Sequence, residues 1–375
     1  MGLPFRPRSL HDGAMATVVA PAPERPAEPG GTTLVVRPAR ADDLESLFRL
    51  AQAAGSGMTN LQPDRALLAD RLAASAAALE SAAARDGGAA IFFVVERCEA
   101  DGEAAGALVG TASIFPRIGV EWPFYSYRRT RQAQTHKALR KTVAHEMLIL
   151  ANDFDGGAEV GGLFIDAAAR GAAAGKLTAR SRYLFIAEHR DWFDRLVISD
   201  LRGYQDATGA SPFWEALGRE FYDMDFADAD RMNAVVGNQF IADLSPKHPI
   251  YARLLPPAAR DALGRPHDQG RRALEMLFEE GFRDEGYVDI FDGGPTLCAR
   301  IDELKAVKDS RRVQVTEVVA GVESPDQLVS AGAGADFRAA RGALTVAGEG
   351  AARLDAGLAR TLRVVPGDYV RHVAF

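Results

Sequence analysis

The chain has 375 residues, of which 47% are hydrophobic and 25% are charged, a composition typical of soluble globular proteins with a large buried core. Its net charge of −7 argues against nucleic acid or an anionic membrane as the main partner, and no apolar run approaches the roughly 20 residues that a membrane-spanning helix needs. The two cysteines, Cys98 and Cys298, are far apart, which argues against a disulfide framework and fits a reducing cytoplasm.

The first third of the chain predicts a flexible tail, then a strand, two helices and a β-hairpin. Residues 1–31 are rich in proline and lack the apolar core of a secretory signal, which favours the tail. The later elements follow from apolar residues at strand or helix spacing. The predicted strands are 34–39, 91–97 and 107–115, the predicted helices are 42–54 and 63–84, and the hairpin turn is 101–106.

The stretch 163–180 predicts a strand that delivers small residues to the start of a helix. Its apolar residues end at Asp166, and the helical pattern begins at about Ala174. The first amides of a helix have no internal partner, and without bulky side chains nearby they can bind a phosphate group. The sequence therefore predicts a phosphate site here, although an ordinary strand, turn and helix would have the same pattern.

The rest of the chain predicts further strands, two helices and a β-rich C-terminal unit. Ser211 is expected to cap a helix that has Pro212 at its first position and continues into a strand ending at Phe226. The other predicted strands are 122–131, 142–151, 195–202 and 287–297, the last running into an Asp-Gly-Gly-Pro turn; the other helix is 273–282, and the β-rich unit is 313–375.

Several blocks resemble known protein families. The order Arg170, Ala173, Gly175 after an apolar strand is similar to the acetyl-CoA-binding signature of the Gcn5-related N-acetyltransferase superfamily. The longer blocks SPFWEALGREFYDMDF, PKHPIY, GRPH and GYVDIFDGGPTL resemble bacterial arginine N-succinyltransferases. These blocks lie within residues 34–310. The first thirty and the last sixty residues resemble the family less, so no functional inference is based on them.

The resemblance implies an α/β (α+β) fold with a mixed central sheet flanked by helices, as in Gcn5-related acetyltransferases. It implies an acyl-CoA-binding core at 32–235, a segment at 236–310 that completes the active site, and a β-rich unit at 311–375. The expected reaction transfers a succinyl group from succinyl-CoA to the α-amino group of L-arginine, or of L-ornithine, in arginine catabolism. No permanently bound cofactor or metal is implied, and a homo- or hetero-oligomer in the cytoplasm is expected.

The family match assigns roles to individual residues. Leu163 would contact succinyl-CoA, and His267 would be the proton donor. Arg170, Ala173, Gly175 and Lys176 would form the CoA phosphate site.

Each of these assignments has an alternative. Leu163 could simply pack in the core, Arg170 and Lys176 could be solvated cations, and His267 could cap a loop, in which case His248 is the rival acid. A histidine exchanges protons readily near neutral pH, whereas the indole of Trp214, found where the superfamily usually has an acidic tyrosine, does not.

Two further alternatives concern the substrate and the reaction. Asp289 and Asp292 could bind the substrate guanidinium, but an aspartate beside two glycines, as Asp292 is, more often forms a turn. The replacement of the superfamily's tyrosine by Trp214 and of a glycine by Ala173 also leaves open a non-catalytic CoA-binding subunit of a mixed oligomer.

Overall fold

The structure is a computed structural model that describes residues 33–54, 61–98, 104–171, 173–226, 228–229, 232, 239–348 and 350–375. The predicted tail 1–31 and the first half of the predicted turn, residues 101–103, lie outside the described residues, whereas residues 104–106 belong to a strand. The predicted boundaries at residues 235 and 310 stay predictions.

Within the described residues, fifteen strands form one mixed sheet. Its order is β12-β15-β11-β14-β13-β1-β2-β3-β6-β7-β10-β9-β4-β5-β8. The strands are β1 Thr33–Pro38, β2 Ile91–Cys98, β3 Ala104–Phe115, β4 Ser126–His136, β5 Lys141–Ala151, β6 Ala158–Ile165, β7 Leu196–Asp200, β8 Ile250–Tyr251, β9 Arg283–Asp289, β10 Pro295–Arg300, β11 Arg311–Val319, β12 Asp326–Ala331, β13 Arg338–Ala347, β14 Ala351–Asp355 and β15 Tyr369–Ala374.

Helices flank this sheet, which confirms the expected mixed α/β class. They are α1 Leu44–Ala54, α2 Arg65–Glu80, α3 Ala82–Asp86, α4 Ala174–Glu188, α5 Arg219–Tyr222, α6 Gln239–Leu244, α7 Pro257–Ala262, α8 Arg271–Glu280, α9 Lys305–Asp309 and α10 Ala356–Leu362. A π-helical turn, Trp214–Gly218, precedes α5. Short 3-10 turns lie at Ala41–Asp43, Ala167–Ala169, Arg190–Trp192, Ala252–Leu254, Asp268–Gly270, Ile301–Glu303 and Gly334–Asp336.

Three predicted elements differ from the structure for local reasons. The helix predicted at 63–84 is broken at Ser81, whose backbone is extended and whose hydroxyl accepts the amide of Ala84 to start α3. The strand predicted up to Phe226 is wrong, since the chain leaves α5 through Asp223 in the left-handed region (φ 50°). The strand predicted at 287–297 is a hairpin, because the Asp-Gly-Gly-Pro turn falls inside it and separates β9 from β10.

Helix α4 is the centre of the main core. Most of its side chains are buried, including Leu184, Phe185 and Ile186. Phe185 meets Phe93 of β2 and Phe337 of the C-terminal region edge-to-face, with ring centroids 5.1 Å apart in each pair. Since α4 contacts the central sheet and the C-terminal strands, its apolar residues surround the helix instead of forming one stripe.

The C-terminal strands close on one another. β12 pairs with β13 and β15, β15 with β11, β11 with β14, and β14 with β13, which makes a ring of five strands. Apolar side chains such as Val315, Val329 and Leu354 form its core. The ring joins the rest of the sheet through β13, which also pairs with β1. The expected β-rich character is confirmed, and the sequence did not indicate α10.

Among the described helices, none combines the length and apolar character needed to cross a membrane.

Candidate active site

The candidate site begins where two neighbouring parallel strands separate. β6 and β7 pair only at Ala158 with Val197 and at Glu159 with Ile198, among the described pairings. Beyond that point side chains bind the β6 carbonyls: the Ser199 hydroxyl donates to the Val160 carbonyl at 3.0 Å. The gap leaves one edge of β6 open to a cavity.

A β-bulge lies on β6 beside this gap. Thr111 of β3 pairs with Phe164 and Ser113 with Gly161, so that two residues of β6, Gly162 and Leu163, stand opposite one residue of β3. Gly162 has φ 59°, the left-handed conformation that suits glycine at the first position of such a bulge. The bulge turns the backbone at Leu163, the residue to which the resemblance assigns a CoA contact.

The cavity at this gap has a volume of about 1210 Å³, enough for a large substrate. Leu163, Arg170, Lys176 and His267, four of the six predicted site residues, line it. Ala173 and Gly175 are not among its described lining residues; they lie at the start of α4, where Ala173 is the N-cap. A Cβ atom added to Gly175 would meet nothing within 4 Å in the described structure, so there is open space beside this turn.

The start of α4 gives one end of the cavity a cationic character. Arg170 donates from Nε to the Ile165 carbonyl at 3.1 Å, which holds its guanidinium near the end of β6. Lys176 lies over the ring of Phe375, with Nζ 5.1 Å from the ring centroid. The roles predicted for Arg170, Ala173, Gly175 and Lys176 stay predictions. Arg170 and Lys176 line the cavity, and the first amides of α4, which have no partner within the helix, belong to the same helix turn as Lys176.

His267 is held in place by the Asp-Gly-Gly-Pro turn through a chain of backbone contacts. The Asp292 carboxylate accepts the amides of Gly203 at 2.7 Å and Gly294 at 2.9 Å. Gly203 in turn forms a β-bridge with Pro266, and the His267 amide donates to the Arg202 carbonyl at 2.7 Å. Since both Asp292 oxygens bind backbone, the structure gives this residue the turn-forming role.

The imidazole of His267 has a defined orientation. Its Nδ1 atom accepts the amide of Gln269 at 3.2 Å, because His267 is the N-cap of the turn Asp268–Gly270. An imidazole that accepts through Nδ1 carries its proton on Nε2 when neutral. The rival His248 is not among the described residues that line the cavity, and Trp214 is buried with its indole donating to the Met224 carbonyl at 3.2 Å.

Carboxyl groups line another part of the cavity. Glu159 of β6, Asp200 at the end of β7 and Asp289 at the end of β9 all face it. Burial, strengthened by Asp200, raises the pKa of Glu159 to about 8, and burial raises the pKa of Asp200 to about 6. Burial and the neighbouring Asp292 and Asp200 raise the pKa of Asp289 well above its ordinary value.

Sequence reasoning named Asp289 and missed Glu159 and Asp200. A signal was present, because each of the two is an acid inside or at the end of a largely apolar strand, where an ionisable group is costly to bury. A buried cation, Arg182, lies near Glu159 and donates to the Gly161 carbonyl at 3.1 Å. One Oδ atom of Asp200 is buried without a hydrogen-bond partner in the described part of the chain.

Comparisons with known proteins identify the family. Residues 34–306 match the family described as arginine N-succinyltransferase beta subunit, and residues 311–374 match the C-terminal domain of the same subunit. The chain belongs to the arginine N-succinyltransferase family. It is therefore an acyltransferase, and the family recognised from the sequence blocks is confirmed.

Individual arginine N-succinyltransferases are similar over most of their length. The beta subunit from Pseudomonas aeruginosa is 36% identical over 340 residues, 89% of this chain and 98% of that protein. The alpha subunit from the same organism is 35% identical over 306 residues, 82% of this chain and 89% of that protein. The Enterobacter enzyme is 38% identical over 284 residues, 76% of this chain and 81% of that protein.

A solved structure extends the match to three dimensions. The arginine/ornithine succinyltransferase subunit AI from Pseudomonas aeruginosa superposes with a TM-score of 0.79 at 34% identity, covering 92% of this chain and 99% of that one. The family match over 311–374 also corrects the expectation that the last sixty residues resemble the family less. Ala374 and Phe375 line the same cavity as His267, since β15 ends there.

Proposed function

We propose that this chain transfers the succinyl group of succinyl-CoA to the α-amino group of L-arginine, a step in arginine catabolism. The observation that carries the proposal is the charge of the cavity, which is cationic at the start of α4 and acidic where β7 and β9 end. A CoA ester is anionic and arginine has a cationic side chain, so each substrate has a complementary end. The names of the relatives agree with this assignment.

The donor would lie along the open edge of β6. Its pyrophosphate would bind the amides at Ala173 and Gly175, with Arg170 and Lys176 balancing its charge. A backbone amide at the Leu163 bulge would bind the oxyanion that forms when the thioester carbonyl is attacked. The apolar side chain of Leu163 takes no part in this contact, because the backbone amide makes it.

The acceptor would lie beside Glu159, Asp200 and Asp289. A guanidinium is planar and forms paired hydrogen bonds with carboxylates, and the partnerless buried oxygen of Asp200 needs such a donor. Burial raises the pKa of Glu159 to about 8 and raises the pKa of Asp289 well above its ordinary value. A bound cation would therefore favour ionisation and release protons.

The chemistry needs one proton removed and one supplied. The neutral α-amine attacks the thioester carbon, the ammonium of the tetrahedral intermediate loses a proton, and the C–S bond breaks to give the amide and a CoA thiolate. In the imidazolium form, which gives up the bond from the Gln269 amide to Nδ1, His267 would protonate that thiolate through Nε2, and the proton lost by the ammonium would restore the imidazolium through water. Trp214 cannot do so, because its indole is buried and is not an acid.

The reaction is tested by an acceptor screen that follows release of free thiol from succinyl-CoA and from acetyl-CoA. We expect release to require arginine and to be faster with succinyl-CoA. The solved relative named for arginine and ornithine makes ornithine the second acceptor to include. Absence of thiol release with every basic amino acid would contradict the proposal.

The role of His267 is tested by two substitutions. His267→Asn keeps a good N-cap residue and removes the imidazole, whereas His267→Ala removes both. If His267 donates the proton, both variants bind CoA and lose about 10²- to 10⁴-fold in kcat, the usual range for a lost acid. Recovery of activity in the asparagine variant would show that the residue only caps the turn, and His248→Ala serves as the control.

A second candidate is a non-catalytic subunit of a mixed oligomer, since relatives are named alpha and beta subunits. It predicts that the purified chain binds CoA but does not turn over succinyl-CoA with arginine. Turnover by the single chain would exclude it. Sedimentation of the purified chain would test the expected oligomer, and fractionation of cells would test its place in the cytoplasm.

A further inference from the structure

A second cavity lies in the C-terminal ring, away from the acyltransferase cavity. Its volume is about 510 Å³, and among the described residues none lines both cavities. Its walls come from β12, β13 and β15 and from the end of α4. The family assignment and the proposed reaction give it no role.

A buried arginine forms part of this wall. Arg338 is only 4% exposed, and its Nε donates to the Thr361 carbonyl at 2.8 Å. Its Nη1 atom is buried without an acceptor, and in the described part of the chain no carboxylate forms an ion pair with it. A buried charge is costly unless it is paired, so the missing partner is an anion.

Other cations around Arg338 increase the excess of positive charge at this cavity. Arg363, in the left-handed region at φ 59°, also lines the cavity. Burial is the main cause that lowers the pKa of Arg338, and the nearby charge of Arg363 adds to it. The Nε atoms of Arg312 and Arg371 lie 3.9 and 3.0 Å from the carboxylate of Glu188. With Arg40, five arginines line the cavity against three carboxylates, although the whole chain has a net charge of −7.

We propose that this cavity binds a small oxyanion that carries two or more carboxylate or phosphate groups. Guanidinium groups bind such oxygens in pairs, and a volume of about 510 Å³ fits a small organic molecule. Arg338 is the buried contact at the base of the site, and Arg363 and Arg312 are exposed contacts at its rim. The site is independent of the proposed acyl transfer.

The test is calorimetric titration of the full chain with citrate and with inorganic pyrophosphate, each with saturating CoA so that the first cavity is occupied. We expect one of the two probes to bind with one-to-one stoichiometry. The probe that binds more tightly shows whether the site prefers carboxylate groups, as in citrate, or phosphate groups, as in pyrophosphate.

Substitutions locate the binding. Arg363→Gln and the double substitution of Arg363 and Arg312 by Gln change exposed residues and should not impair folding. Each is expected to weaken binding at least about tenfold, the effect of one lost charge-assisted hydrogen bond. Arg253→Gln, an exposed arginine outside both cavities, is the matched control and should bind like the wild type. No saturable binding of either probe, or equal binding by Arg363→Gln, would overturn the proposal.

Discussion

Glu159 is a carboxyl group on a largely apolar strand, and its titration should affect the stability of the protein. Its pKa is about 8 in the folded chain against an ordinary value of 4.5, so the folded state holds the proton more tightly. The free energy of unfolding therefore falls as the pH rises from about 4.5 to about 8, by on the order of 1 kcal/mol per pH unit at most.

Substitution of Glu159 by glutamine removes this dependence. We expect Glu159→Gln to be as stable as the wild type near pH 5 and more stable at pH 8, as measured by urea unfolding at several pH values. The exposed Glu323→Gln is the control and should follow the wild type. A wild-type curve parallel to that of Glu159→Gln would mean that Glu159 is ionised throughout.

Asp292 shows why residue type alone left two interpretations open. An aspartate beside two glycines can bind a guanidinium or close a turn. The structure gives both of its oxygens to backbone amides, one of them on Gly203, which pairs with the residue before His267. Asp292 is therefore a positioning residue for His267, a role that no local pattern indicates.

At the scale of the element, the bulge on β6 should control the binding of the donor. Gly162→Ala forces a side chain into φ 59°, at a cost of about 1 kcal/mol or more, and favours a regular strand that turns Leu163 differently. We expect kcat/KM for the acyl-CoA to fall about tenfold or more, since small misplacements are costly in catalysis.

Gly156→Ala is the matched control for this substitution. Gly156 has φ 82° and open space around its Cβ position, but it lies in a turn outside the cavity. We expect Gly156→Ala to lower the thermal stability about as much as Gly162→Ala does, while kcat/KM for the acyl-CoA stays that of the wild type. Equal activity in both variants would mean that the bulge does not place the donor.

At the scale of the whole molecule, the C-terminal strands reach the active-site cavity. The ring of Phe375 lies under Lys176 and also under Arg341, whose guanidinium carbon is 4.7 Å from the ring centroid. Phe375→Ala should raise KM for the CoA ester about two- to fivefold with little change in kcat, the size expected from one exposed cation–π contact. Phe278→Ala, a half-exposed aromatic outside the cavity, is the control, and an unchanged KM in Phe375→Ala would contradict this role.

Much of the molecule follows from local patterns in the chain. The start of α4, the cap at Ser211, the end of α8 at Gly281 and the turn at Asp292 each depend on a few neighbouring residues, and the structure has them where the pattern places them. The motif blocks were also sufficient to identify the family, because they are long runs of adjacent residues.

Contacts between residues that are distant in the chain could not be predicted from local sequence patterns. The meeting of Glu159, Asp200 and Asp289, the closure of the five-strand ring and the arrival of Phe375 beside Lys176 all depend on which strands pair, and strand pairing joins residues that are far apart in the chain. The sequence specifies each strand through its own side chains, whereas the charge of the two cavities arises only when the sheet brings separate strands together.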